Sequence, residues 1–293
     1  MTPDVRFQVG IHKMHFSKRS IFALGSGILL ILSQAGLAAC EKKPVDMVAI
    51  PAGEFLMGTD EVDADNEALD YGLPHPWYED EHPLHRVNLP PFYIDKYEVT
   101  NEKYKLFLTQ MKHPPPEDWK NGIYPEGRAQ FPVAYVSWFD AEEYCRWAGK
   151  RLPTEEEWEK TARGPDHYKY PWGNFFNPDL ANISHGPVMT ASSVAVGQYE
   201  GGKSPYGVYD MIGNVWEWTG SWYRPYPGNE ARNENFGQVF RVTRGLSFMG
   251  IGHYPPDTYK KVASIVARAS FRSYDYPTSR LADVGFRCAR SRK

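Results

Sequence analysis

The chain has 293 residues, which permits one large domain or two small ones. Its 33 basic and 36 acidic residues give a net charge of −3, so composition offers no basic face of the kind that binds nucleic acid. Hydrophobic residues, at 42%, suffice for a buried core, while 25 Gly and 24 Pro indicate an ordered domain with many turns.

The N-terminus has the pattern of an export signal. Two basic residues precede an apolar run of 12 residues at 21–32, which is too short to span a bilayer comfortably. The small residues before Cys40 resemble the lipobox of bacterial lipoproteins, which are cut before a cysteine that carries diacylglycerol. We predict a signal peptide over 1–39, followed by a lipidated Cys40 and a short tether over 40–46. An ordinary signal peptide or a transmembrane anchor is the alternative.

The first part of the mature chain is predicted to form strands. Residues 47–58 alternate apolar and turn residues, which indicates two short strands around a turn at 51–53. Residues 59–81 are acidic and lack an apolar period, so they are predicted to form a loop. Two further strands are predicted at 85–89 and 92–99.

Three helices are predicted in the middle of the chain. Thr100 is a good N-cap for an amphipathic helix that ends at the prolines 114–116. A second helix is predicted to start at Asp140, with Glu143 completing a capping box, and a third starts after Thr154 and ends at Gly164. No helix is predicted after this point. Because no linker or repeat divides the sequence, residues 47–293 are assigned to a single domain.

Two cysteines remain in the mature chain, Cys145 and Cys288. Cys145 lies on the apolar face of the second predicted helix, which favours a structural role. An oxidising compartment permits a disulfide between the two, and two buried free thiols are the alternative. Spacing does not decide between them, and we favour the free thiols.

Short motifs in a fixed order resemble the formylglycine-generating enzyme (sulfatase-modifying factor) family, and they run through the whole mature chain. The main motifs are IPAGEFLMG at 50–58, FYIDKYEVTN at 92–101, CRWAGKRLPTE at 145–155, YPWG at 170–173, YGVYDMIGNVWEW at 206–218 and GFRC at 285–288. The resemblance implies an α+β fold, a variant of the C-type lectin fold, with little regular secondary structure and calcium as a stabilising ion.

The resemblance also implies a set of calcium ligands. These are the side chain of Asp210, the carbonyl oxygens of Gly213 and Val215, and the side chain of Glu217. All are oxygen donors, as a hard cation requires. The alternative is that Asp210 and Glu217 only cap and pair within the motif. A second family site would begin at Asn182, but the following segment is shorter here, so that site is not assigned.

The two cysteines that the family enzyme uses with copper are missing. They would follow the segment RGLSFM at 244–249, where this chain has Gly250 and, five residues later, Pro255. Soft Cu(I) needs thiolate ligands, and no cysteine lies between Cys145 and Cys288. We therefore predict that the chain does not generate formylglycine by the family's route.

Three residues are weak catalytic candidates near the altered position: Trp216, Ser247 and His253. A serine and a histidine can support acid–base catalysis, but the interpretation that we favour is a structural Ser247 and a His253 on a loop.

The favoured function is a binding or scaffold lipoprotein that is anchored through Cys40 in the periplasm or at the cell surface, with the outer membrane favoured. Its partner would be a protein or peptide and not nucleic acid. The alternative is a periplasmic oxidase that resembles the pyoverdine-maturation enzyme and acts on a peptide or secondary metabolite.

Overall fold

A computed structural model describes four stretches of the chain: residues 45–73, 75–184, 191–251 and 254–292. The predicted signal peptide at 1–39, the lipidation site Cys40 and the candidate His253 lie outside the described residues. Within these stretches, no helix is both long and apolar enough to cross a bilayer.

Short strands in the described residues form three small sheets. The strands are β1 Met47–Ile50, β2 Gly53–Met57, β3 His85–Leu89, β4 Phe92–Asp95, β5 Trp216–Trp222, β6 Arg241–Arg244, β7 Ser273–Asp275, β8 Val284–Phe286 and β9 Ala289–Ser291. The sheets have the orders β1-β4-β9, β2-β3 and β7-β6-β5-β8. All pairs are antiparallel except β5 with β8. The predicted α+β class with short elements is confirmed.

The strands predicted near the N-terminus are confirmed, with one shorter than expected. The strand predicted at 92–99 ends at Asp95. Asp95 pairs with Met47, the first residue of β1, so that β4 has no further partner residue on this side. Beyond it, Val99 donates its backbone N–H to the Phe286 carbonyl instead, which carries the chain towards α2.

Five helices lie in the described part of the chain. They are α1 Glu67–Asp70, α2 Asn101–Met111, α3 Trp138–Trp147, α4 Glu155–Arg163 and α5 Pro256–Val266. The predicted caps of α2 and α4 are confirmed: the Thr100 side chain accepts from Lys103 N, and Thr154 forms a capping box with Glu157. Gly164 ends α4 with a φ of 69°, as its position predicts.

Three helix predictions were wrong. The second predicted helix starts two residues earlier, because Ser137 and not Asp140 is its N-cap; Asp140 is the other half of the capping box. The short helix α1 lies inside the predicted loop 59–81. Helix α5 was not predicted, because it begins at a proline pair and has no side-chain cap.

Cys145 and Cys288 form a disulfide, so the free thiols that we favoured are wrong. Cys145 faces inward from α3, and Cys288 lies between β8 and β9. Their Cα atoms are 5.6 Å apart, and both residues are completely buried. The disulfide joins positions that are 143 residues apart in the sequence. It therefore ties the middle of the domain to its C-terminal end.

We expect Cys145→Ala to lower the free energy of unfolding by about 2–5 kcal/mol, because the unfolded chain regains the freedom of a very long loop. Denaturant unfolding of residues 41–293, with and without reductant, measures this loss. Cys288→Ala and the double variant should show the same loss as the single variant. An unchanged unfolding midpoint in the single variants would contradict a stabilising disulfide.

Buried arginines, like the disulfide, connect residues that are far apart in the sequence. Arg244, Arg268, Arg272 and Arg287 are at most 5% exposed. Each forms an ion pair with a buried glutamate: Arg244 with Glu159, Arg268 with Glu81, Arg272 with Glu155 and Arg287 with Glu217. These pairs join β5, β6 and the C-terminal segment to α4 and to the 3-10 turn Glu79–Glu81.

Candidate functional site

The predicted calcium motif forms a tight turn that leads into β5. Asp210, Gly213 and Asn214 have φ values of 54°, 87° and 62°, in the left-handed region that Asp, Gly and Asn tolerate best. A side chain at position 213 would also collide with Asn182, because an added Cβ would lie 2.7 Å from the Asn182 carbonyl oxygen. The turn therefore depends on these residue types, and it places Glu217 inside the core.

Glu217 is held by three N–H donors. Arg287 donates through Nε to Oε2 at 2.7 Å and through Nη2 to Oε1 at 2.6 Å. Trp158 Nε1 donates to Oε2 at 3.0 Å. A carboxylate offers about four acceptor directions, so Glu217 has little capacity left for a metal ion. Its clearest role is to fix Arg287 and Trp158.

The carboxylate of Asp210 is also buried, but it accepts fewer hydrogen bonds than that of Glu217. Its Oδ2 accepts the Gly197 backbone N–H at 2.6 Å, the one bond that the described residues donate to this carboxylate. Burial raises the pKa of Asp210 to about 6, and nearby Glu217 adds to this, while the Gly197 bond and Arg287 act against it. A cation beside Asp210 would stabilise its ionised form.

Glu98 is a third buried carboxylate beside the turn, and it was not predicted from the sequence. It accepts from Asn214 Nδ2 at 2.8 Å and from the Val215 N–H at 3.3 Å. Burial raises the pKa of Glu98 well above its usual range, and the charges of Asp210 and Glu217 raise it further. Its position between apolar residues in FYIDKYEVTN was the available signal, because a charged residue there must be buried with a partner.

The oxygen donors at this turn fit a hard cation in part. No described residue donates a hydrogen bond to the carbonyl oxygens of Gly213 or Val215. These two carbonyls and Asp210 can therefore act as ligands, whereas Glu217 is largely committed to Arg287. No three His, Cys, Asp or Glu side chains in the described ranges are grouped closely enough to hold a metal by themselves. Any cation here must rely on backbone oxygens and water.

The candidates Ser247 and Trp216 meet at Asp283. Ser247 is completely buried, donates its hydroxyl to Asp283 Oδ2 at 2.6 Å and accepts the Met249 N–H at 3.2 Å. Trp216 donates its backbone N–H to the Asp283 carbonyl at 2.8 Å. Burial raises the pKa of Asp283, and the Ser247 hydroxyl partly offsets this. Asp283 was not predicted as a site residue, because it lies two residues before the motif GFRC and outside it.

The space next to Gly250 is filled. Gly250 has a φ of 70°, and an added Cβ would lie 2.1 Å from the Tyr259 hydroxyl oxygen and 3.0 Å from Ser184 Cβ. Tyr259 comes from α5, the helix that was not predicted, and it donates to the Ser184 carbonyl at 2.7 Å. Pro255 is the N-cap of that helix. The position at which the resemblance implies the first thiol is therefore packed against α5.

A cavity of about 320 Å³ remains beside Phe248, one residue after Ser247. Its lining is mixed, and it includes Asn101, Asp118, Arg128, Phe131, Tyr135 and Phe248. The Arg128 guanidinium lies 4.5 Å from the centre of the Phe131 ring and donates to the Ser193 carbonyl at 3.2 Å. The cavity thus offers apolar walls and one charge of each sign.

Comparison with known proteins identifies the family. The model of the sulfatase-modifying factor enzyme 1-like domain matches residues 34–292. The chain is 32% identical to inactive C-alpha-formylglycine-generating enzyme 2 from Bos taurus, covering 89% of this chain and 93% of that protein. It is 33% identical to formylglycine-generating enzyme from Mus musculus, over 83% of this chain and 74% of that protein. Among solved structures, PvdO from Pseudomonas aeruginosa superimposes with a TM-score of 0.61 at 27% identity, covering 84% of this chain and 94% of that one. The chain therefore belongs to the formylglycine-generating enzyme (sulfatase-modifying factor) family.

Proposed function

We propose that this protein is a lipid-anchored binding module of the family, without thiol-based catalysis. The observation that carries this proposal is the packing at Gly250, where the Tyr259 hydroxyl fills the space that a side chain would need. Loss of the first cysteine is therefore accompanied by loss of the room for a side chain at position 250. In this proposal the hydroxyl of Ser247 has a structural role, because it is buried and bonded to Asp283.

The cavity beside Phe248 is the proposed binding site. Phe248 in its lining belongs to the altered catalytic segment, and the apolar walls of the cavity with Asp118 and Arg128 suit an extended peptide segment that carries a polar side chain. Phe131 and Phe248 would contact apolar atoms of the peptide, while Arg128 and Asp118 would fix its polar groups. The proposed partner is therefore a protein or peptide and not a nucleic acid.

A photo-crosslinking amino acid at Tyr135 tests the binding site in cells that express the full chain. We expect one defined crosslinked partner, and its loss when Arg128→Ala is added. The same crosslinker at Phe175, which is 87% exposed on another segment, is the matched control. Equal crosslinking at both positions would contradict a specific site at the cavity.

Absence of formylglycine chemistry is tested separately. Purified residues 41–293, supplied with copper and a cysteine-containing sulfatase peptide, should return the peptide unchanged by mass spectrometry. Conversion of the peptide cysteine to an aldehyde would overturn the proposal.

The lipid anchor on Cys40 is part of the proposal and rests on the sequence alone. Labelling of growing cells with a palmitate analogue should mark the full chain, and Cys40→Ser should remove the label and release the protein from membranes. Density-gradient fractionation then distinguishes the outer membrane, which we favour, from the inner membrane. Labelling that persists in Cys40→Ser would contradict the assignment.

We also propose that one calcium ion stabilises the turn 210–217. The support is a group of three buried carboxyl groups, Glu98, Asp210 and Glu217: the charges of Asp210 and Glu217 raise the pKa of Glu98, and Arg287 is the arginine bonded to Glu217. Asp210 and the carbonyls of Gly213 and Val215 would hold the ion, with Glu217 as a ligand through its remaining lone pair. A bound calcium would neutralise the carboxylates and keep the turn closed.

Calcium binding should raise the stability of residues 41–293 by about 2.7 kcal/mol at a free concentration one hundred times the dissociation constant. Elemental mass spectrometry should find one calcium per chain, and chelation should lower the melting temperature. Asp210→Ala should abolish this response, whereas the exposed Asp166→Ala should retain it. An unchanged melting temperature after chelation, or stoichiometric copper or iron, would contradict the calcium site.

A second candidate function is oxidation of a peptide or secondary metabolite, as the resemblance to the pyoverdine-maturation oxidase suggests. The observation that favours it is the short hydrogen bond between Ser247 and Asp283, which supplies an acid–base pair beside Trp216. Turnover that is lost in Ser247→Ala but retained in the neighbouring Met249→Ala would favour this function over the binding module.

A further inference from the structure

An exposed aromatic surface lies where the start of α3 meets the ends of β6 and β7. We call it the aromatic patch, and its most exposed side chains are Phe139, Val239, Tyr276 and Leu281, which are between 40% and 54% exposed. The patch is continuous: the Phe139 ring lies 5.4 Å from that of Trp138, Trp138 stacks on Arg241, and the ring of the adjacent Phe240 lies 4.5 Å from that of Tyr276. Side chains from three separate segments therefore form one surface.

Beside this surface lies an arginine, Arg241, that is stacked between two tryptophans and forms no ion pair within the described residues. The Arg241 guanidinium carbon lies 3.8 Å from the centre of the Trp138 ring and 3.6 Å from that of Trp222. None of the ion pairs among the described residues involves Arg241 or its neighbour Arg224. Burial lowers the pKa of Arg241 to about 10; the charge of Glu142 acts against this, and that of Arg224 adds to it. The patch therefore carries positive charge that an external anion can neutralise.

Aromatic rings next to arginines match the boundary between lipid headgroups and acyl chains. Aromatic side chains concentrate at this depth, and arginines reach from it towards lipid phosphates. Each basic residue near an anionic membrane surface contributes about 1 kcal/mol of attraction. With Arg224, Arg241 and the rings of the patch, this chain has both components on one face.

The length of the proposed tether brings this face within reach of a bilayer, so the inference rests on the proposed lipidation of Cys40. Four residues separate Cys40 from Val45, and an extended chain covers at most about 3.6 Å per residue. Strand β1 begins at Met47 and pairs with Asp95, whose carboxylate binds Lys150 just after the end of α3. The patch lies at the other end of α3, about 15 Å away for a helix of 10 residues. A membrane plane near the anchor can therefore also touch the patch.

We propose that the aromatic patch binds anionic lipid headgroups of the membrane that holds the anchor. Phe139, Val239 and Tyr276 enter the headgroup region, and Arg241 with Arg224 binds lipid phosphates. The lipid anchor and the patch then fix the domain in one orientation.

Vesicle co-sedimentation of residues 41–293 without lipid tests this contact directly. Among the described residues, those of the buried core run from Met47 to Ala289, and they lie in one compact unit over Glu41–Lys293, so this segment is expected to fold by itself. We expect binding to vesicles of phosphatidylethanolamine and phosphatidylglycerol that weakens at high salt, and little binding to phosphatidylcholine vesicles. Arg241→Glu should lower the partition coefficient about tenfold or more, since it reverses a charge at the surface. Phe139→Ser combined with Tyr276→Ser should also lower the partition coefficient, and this variant leaves Arg241 in place.

Two control variants test whether the effect belongs to the patch. Phe175→Ser removes an aromatic ring that is 87% exposed elsewhere, and Arg232→Glu reverses an exposed charge. Both should bind vesicles as the wild type does, and melting curves should show that every variant is folded. Wild-type protein that stays in the supernatant, or patch variants that bind like the wild type, would overturn the proposal. So would self-association that the patch variants abolish in the absence of vesicles. The outcome is independent of palmitate labelling of Cys40, because the tested chain lacks that residue.

Discussion

Arg287→Ala is expected to lower the free energy of unfolding by about 3–5 kcal/mol, because it leaves the buried charge of Glu217 without its partner. Arg287 donates two hydrogen bonds to Glu217 and others to the backbone carbonyls of Tyr209 and Asp210, the latter at 2.9 and 3.3 Å. One side chain therefore holds the turn 210–217, β5 and the C-terminal segment together. Its loss should also weaken the calcium binding that we propose, because the carbonyl that precedes the turn is no longer fixed.

Denaturant unfolding of residues 41–293 measures this effect, and Arg232→Ala on the exposed surface is the matched control. Replacing both partners, as in Arg287→Met with Glu217→Leu, should recover part of the lost stability, because no unpaired charge remains. A loss below about 1 kcal/mol in Arg287→Ala would show that the pair contributes little, as exposed ion pairs do.

Local chemistry accounts for the elements that the sequence predicted correctly. Thr100 and Thr154 cap α2 and α4 through bonds to N–H groups three residues away, so the signal lies within one turn. Helix α5 has no such cap. Its support comes from burial of Tyr259, Val262 and neighbouring residues against distant parts of the chain, which no local pattern reveals.

The residues of the candidate site differ in the same way: those that are consecutive in the sequence were predicted, and those from distant segments were not. The turn 210–217 was predicted because its residues are consecutive and belong to a family motif. Glu98 and Asp283 were missed, because each meets the site from a segment about 35 residues or more away along the chain. The disulfide was also not decided by spacing, since nothing in the sequence fixes a distance between positions that are 143 residues apart.

Gly250 is the position where packing bears most directly on function, and Gly250→Ala should cost about 2–5 kcal/mol of unfolding free energy. Two causes add: a side chain in the left-handed conformation costs about 1–2 kcal/mol, and overpacking costs about 1–3 kcal/mol. Gly207 is a matched control, because its φ is 82° and an added Cβ would meet nothing within 4 Å. Gly207→Ala should therefore lose only the unfolding free energy that the left-handed conformation costs, about 1–2 kcal/mol.

The packing part should depend on Tyr259. In a Tyr259→Phe background, which removes the oxygen 2.1 Å from the added Cβ, Gly250→Ala should cost less, and a double-mutant cycle should give a coupling of about 1–2 kcal/mol. For the same reason Gly250→Cys with Pro255→Cys should be destabilised and should form no formylglycine in the peptide assay. A restored pair that folds normally and binds Cu(I) would mean that α5 moves aside readily, and that the missing cysteines alone separate this chain from an active enzyme. Equal costs at positions 207 and 250 would likewise show that Tyr259 does not close the site.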